Sequence, residues 1–157
     1  MPNNATAKTV SARKALFMTM LVAGGAGVAI VATLAFVPAR SLPHTTLAAG
    51  DHYYSLQVAA DDTSRTQGLG GVTAMPANQG MLFKFSSQQT QCFWMKDMHF
   101  PLDMLWLNAQ HKVTHITPNI ALNTYPHQFC YDGKYVVELN AGQAATAHIH
   151  EGETLTF

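Results

Sequence analysis

Asp103, Glu138, Lys96 and Trp94 are the residues whose types and surroundings could do chemistry. Asp103 lies inside the apolar run 101–107, so its carboxylate is expected near a core. A charge there needs a partner or gives up its ionisation, and Lys96 and Arg65 are the candidate partners. Two roles are open to it: a group in a site, or an acceptor of backbone N–H bonds that pins the corner at Phe100-Pro101. Trp94 and Lys96 fall with Cys92 on one face of a strand, while Phe93 and Met95 face the other way. A tryptophan beside a lysine can floor a ligand pocket and stack on a sugar or a cation. The same face could instead be covered by residues 119–133. Glu138 alternates with Val136 and Asn140, which reads either as an outward glutamate on a half-buried strand or as an acid/base partner of Asp103 across a pocket.

Cys92 and Cys130 are the only cysteines. A disulfide between them suits an oxidising compartment, and a nucleophilic cysteine assisted by His127 is the alternative. Eight histidines include the pair His148 and His150, but none forms a dense ligand motif, so no metal and no cofactor is expected. The sequence holds no serine-hydrolase elbow, phosphate loop or dinucleotide fingerprint.

The zero net charge hides an asymmetry. Lys8, Arg13, Lys14 and Arg40 stand before Ser41 with no acid, whereas the remainder has five bases against all nine acids. That balance argues against nucleic acid as a partner. Between Ala15 and Val37 no residue is charged, and as a helix this run would span roughly 34 Å against a hydrocarbon core of about 30 Å. The expected organisation is a basic cytoplasmic arm (1–14), a transmembrane helix (15–37), a tether (38–51) and an extracytoplasmic β domain (52–157). Cleavage near Ala39, releasing the domain, is the alternative.

The domain must be built from short strands. Alternation predicts strands at 52–59, 81–85, 91–95, 102–107, 112–117, 134–139 and 154–157. Residues 61–64 offer capping side chains for a short helix ended by Gly68, and 141–148 reads as an Ala-rich helix. Residues 119–133 read as a long connection. The fold class expected is mainly β, a small antiparallel sandwich or barrel with one or two short helices.

Several segments in order carry a resemblance: Gly80-Met81-Leu82-Phe83-Lys84-Phe85, Phe93-Trp94-Met95-Lys96-Asp97-Met98, Pro101-Leu102-Asp103 and Val137-Glu138-Leu139-Asn140-Ala141-Gly142. With Arg65-Thr66-Gln67-Gly68-Leu69 and Glu151-Gly152-Glu153, they resemble the bacterial and archaeal family called domain of unknown function 192. The resemblance covers most of 53–157 and implies a small β-sandwich-like fold, often behind a signal or anchor segment, with no settled activity. Gly70-Gly71-Val72 and Asp97-Met98 depart from that family's pattern.

The function expected is a non-catalytic module at the outer face of the membrane. It would bind a small ligand, a cell-wall glycan or a protein through Trp94, Lys96, Asp103, Glu138 and Arg65. The alternatives are a hydrolase using Asp103 and Glu138, or a structural accessory subunit.

Overall fold

The computed structural model describes residues 41–157. The basic arm and the membrane helix expected over 15–37 lie outside the described residues. Among the described residues no helix is long and apolar enough to cross a membrane.

Strands β1 (His44–Ala49), β2 (His52–Ala59), β3 (Gln79–Phe93), β4 (Leu102–Leu107), β5 (Val113–Ile120) and β6 (Phe129–Asn140) form one sheet in the order β1-β2-β3-β6-β4-β5. Helix α1 (Asp62–Gln67) lies between β2 and β3, and α2 (Gln143–Thr146) follows β6. Every pairing is antiparallel except β2 with β3. A parallel pair needs a crossover, and residues 60–78 with α1 supply it. The sheet is therefore mixed, which corrects the antiparallel arrangement expected, and a second packed sheet is absent among the described residues. Single bridges from the C-terminal segment, Thr156 to Ala48 and Thr154 to Lys112, tie β1 to the start of β5.

Residues 44–49 belong to this sheet and are not tether: β1 pairs with β2 along its length and buries Leu47 and Ala49. The two strands expected over 81–85 and 91–95 are one long strand with an irregularity between Lys84 and Gln89. The long connection expected over 119–133 shrinks to a 3-10 turn at Leu122–Thr124 and its flanks, because β6 begins at Phe129. Pro118 fits within β5 because β5 is an edge strand.

Local signals explain α1. Asp61 accepts from the Ser64 amide at 2.8 Å, and the Ser64 hydroxyl lies 3.2 Å from the Asp61 amide, a reciprocal cap. Gly68 ends the helix with φ of 50°.

The sheet buries both faces. One face carries Leu47, Tyr54, Leu56, Leu82, Leu105 and Val137, and α2 and the C-terminal segment cover it with Ala144, Ala147, Ile149 and Leu155. The other carries Met81, Phe83, Met104, Trp106 and Val136, capped by Leu69 and Met95. Burial on both sides explains why all six residues of β4 are inaccessible and why 102–107 has no polar alternation.

Gly80 is required by close approach at the centre of the sheet. A Cβ there would lie 2.4 Å from the Glu138 carbonyl oxygen and 2.8 Å from the Leu56 and Leu139 methyls. Gly80→Ala is expected to cost about 2 kcal/mol by overpacking, read as a lower urea midpoint. An unchanged midpoint would show that β3 and β6 separate freely at this point.

Candidate functional site

Face parity decides which candidate residues meet. Across the β4–β6 register Asp103 stands opposite Leu139, and Met104 opposite Glu138. Asp103 therefore projects with Leu105 towards α2, while Glu138 projects with Val136 towards α1. The expected pairing of Asp103 with Glu138 as an acid/base couple is overturned, because the sheet itself separates the two carboxyl groups.

Asp103 is fully buried and committed. Its Oδ1 accepts from the Asn119 amide at 2.8 Å and its Oδ2 from the Ala144 amide at 2.9 Å. The carboxylate thus joins the end of β5 to the first turn of α2. Its charge also reaches Tyr54, whose phenol is raised above its usual value by burial and then by Asp103. The expectation that backbone N–H groups satisfy Asp103 holds. The residues it pins are Asn119 and α2 rather than the Phe100-Pro101 corner, and it does not line the cavity on the opposite face.

On the opposite face Trp94, Lys96, Arg65 and Glu138 line one open cavity of about 530 Å³. Its wall is α1 and the turn after it, through Asp62, Arg65, Gln67 and Gly70. Its floor is β3 and β6, through Phe83, Phe85, Gln91, Phe93 and Glu138. The remaining side is residues 94–98, a turn that follows β3 and holds Asp97 at φ of 57°, with the Asp97 carbonyl accepting from the Gly71 amide at 2.9 Å. Short polar side chains tolerate that left-handed conformation. Gly70, Asp97 and Met98, where the sequence departs from the family pattern, are among the lining residues.

Glu138 is only 4% exposed. Its neighbours across the sheet on the same face are Met81 and Met104, two apolar side chains. Burial pushes its carboxyl up to about 8, so at neutral pH it is mainly a carboxylic acid with one donor and acceptor capacity to spare. No hydrogen bond or ion pair engages it among the described residues. Gln91 is 7% exposed; its Nε2 is enclosed with no partner among the described residues, while its backbone carbonyl accepts from the Trp106 indole at 3.1 Å. Sequence reading passed over Gln91. Its only signal is that it shares the odd-numbered face of Phe83, Phe85 and Phe93.

Arg65 borders the cavity but is engaged elsewhere. Its guanidinium donates to the carbonyls of Ala60 (2.6 Å) and Lys84 (2.9 Å), pairs with Asp62 and lies over the Phe85 ring at 5.3 Å. It fastens α1 to β3. Lys96 makes no ion pair among the described residues, and Trp94, 49% exposed, stands at the mouth.

Cys92 and Cys130 are directly opposed across β3 and β6 and are joined as a disulfide at the cavity edge, so neither is a free nucleophile. His127 instead packs its ring on Phe129. No cluster of three His, Cys, Asp or Glu side chains is placed to hold a metal among the described residues.

Two solved structures share this fold. A Sinorhizobium meliloti protein described as a "putative transcription regulator" is 27% identical, with a TM-score of 0.69 over 75% of this chain and 96% of its own. A protein of unknown function from Novosphingobium aromaticivorans is 22% identical, with a TM-score of 0.68 over 84% of this chain and 100% of its own, a likeness of fold alone. A comparison with curated proteins gives no match. Residues 45–157 match the model of the DUF192 family, described as "Uncharacterized ACR", and the chain belongs to that family.

Proposed function

We propose that this chain is a membrane-anchored module whose β domain, on the extracytoplasmic side, binds a small molecule without transforming it, in the cavity floored by Glu138. One observation carries the reading. Glu138 and Gln91, both more than nine-tenths buried, line an open cavity, and among the described residues nothing pairs with the Glu138 carboxyl group or with Gln91 Nε2. A buried polar group without a partner costs about 1–3 kcal/mol, and a ligand that pairs with it recovers that cost.

The cavity volume lies in the range that suits small ligands. Among the described residues no serine or histidine lines the cavity and its one cysteine is bonded, so a serine–histidine or cysteine–histidine pair is absent from its lining. Anchoring and placement draw support from the uncharged run 15–37 behind a basic arm and from the disulfide. Regulation of transcription is not carried over from the Sinorhizobium meliloti protein, because acids outnumber bases from residue 41 onward.

The test is a thermal-shift screen of the full chain against a mixed library of saccharides, amines, amides and carboxylates. At least one class is expected to raise the midpoint, and Glu138→Leu is expected to abolish that shift. A library that leaves the midpoint unmoved overturns the reading, as does a shift that Glu138→Leu leaves intact.

A further inference from the structure

The chemistry of the cavity narrows the ligand class, resting on the binding-module reading above. The floor carries Glu138, whose carboxyl group can both donate and accept, and Gln91, whose Nε2 is enclosed and has no partner among the described residues. A hydroxyl group supplies both functions at once. An organic cation would match only an ionised Glu138. A small anion would find no surplus of positive charge. Among the described residues the charged side chains around the cavity besides Glu138 are Asp62, Arg65, Lys96 and Asp97, two of each sign, and Arg65 already pairs with Asp62. No histidine among the described residues lines it.

The walls add a second constraint. Phe85 and Phe93 are half-buried, their rings edge to face at 6.4 Å, and Trp94 stands half-exposed at the mouth. A hydroxylated ring presents an apolar C–H face that can lie on such an aromatic surface, and hydroxyls at its edge that can reach a polar floor. A cavity of about 530 Å³ accommodates a ligand of that size.

We propose that the occupant is a neutral hydroxylated ring, a pyranose sugar, whose hydroxyls pair with Glu138 and Gln91 while its C–H face lies on Trp94. The sugar is held by the protonated form of Glu138. Binding therefore weakens as pH rises and that proton is lost, whereas binding of a cation would strengthen over the same range.

The full chain is kept in solution with a detergent that has no sugar head group, since a maltoside would compete. The probes are methyl β-glucopyranoside, N-acetylglucosamine, choline and acetate, each followed by saturation-transfer NMR. At least one pyranose is expected to bind, with affinity falling about tenfold between pH 6 and pH 9. Trp94→Ala is expected to weaken it about tenfold. Glu138→Gln, which holds the group neutral, is expected to weaken it several-fold and to flatten the pH profile. Trp94 is exposed, so Trp94→Ala decides the matter if Glu138→Gln fails to fold. The proposal is overturned if neither pyranose binds, or if a pyranose binds equally well to Trp94→Ala. Choline or acetate binding that Glu138→Leu abolishes, with no pyranose bound, overturns the sugar and leaves the binding module standing. Silence from these probes and from the wider library removes both.

Discussion

Glu138→Gln is expected to make the domain more stable at pH 8.5, by up to about 4 kcal/mol, while leaving it nearly unchanged at pH 5. The folded chain holds a proton on Glu138 up to about pH 8, whereas an exposed glutamate loses it near 4.5. Between those values the folded state binds more protons than the unfolded state. Stability from this group is thus fully present below pH 4.5 and drains away as pH rises towards 8. Glutamine cannot ionise and so removes the slope. The checkable result is a set of thermal midpoints at half-unit pH steps. The wild-type midpoint should fall across pH 5–8, and the two proteins should diverge by roughly 10 °C or more at pH 8.5. Parallel profiles would show that Glu138 is hydrated or paired, and the cavity floor would lose its meaning. A gain in stability on removing an acid is the expected signature of a group kept for a site rather than for the fold.

Legibility of the sequence followed how local the determining physics was. Residues 52–59 and 102–107 came with their observed bounds, because alternation marks the first and unbroken burial the second. Helix α1 was announced by Asp61 and Gly68. Strand β1 was missed because only Leu47 and Ala49 are deeply buried in a segment that opens with Pro43 and two threonines. The polar stretch Ser86–Thr90 reads as a break between strands. It is instead an exposed continuation of β3, with Gln89 and Thr90 paired to Gly133 and Asp132 of β6. Polarity there reports exposure and not the absence of a strand. Trp94, Lys96, Arg65 and Glu138 were legible by type and share one cavity, but the register that places Glu138 beside Met104 and Asp103 beside Leu139 is a non-local quantity. A shift of one residue would have put both carboxyl groups on one face, which is why the Asp103–Glu138 pair looked feasible and was not.

Asp103→Ala is expected to act in the opposite sense, destabilising the domain by about 3–5 kcal/mol. Each Asp103 oxygen accepts one backbone N–H, and both donors would be left without an acceptor: the Asn119 amide, where the chain turns through φ of 52°, and the Ala144 amide in the first turn of α2. Helix α2 has four residues and no side-chain cap of its own, so this carboxylate from a distant strand does the capping. Asp103→Asn keeps the shape but sets an NH₂ group against one of the two donors, and about 2–3 kcal/mol should be lost. Urea unfolding with an unchanged m value would report these losses as lower midpoints. A loss below about 1 kcal/mol for Asp103→Ala would mean that water replaces the carboxylate and that α2 does not depend on it. The same variant separates fold from site. Because the sheet stands between Asp103 and the cavity, ligand affinity in the folded fraction of Asp103→Asn should match the wild type, while Glu138→Leu abolishes it. Loss of affinity in folded Asp103→Asn would mean that the two faces of the sheet are coupled, and the cavity could no longer be treated as a site that Glu138 and its neighbours form by themselves.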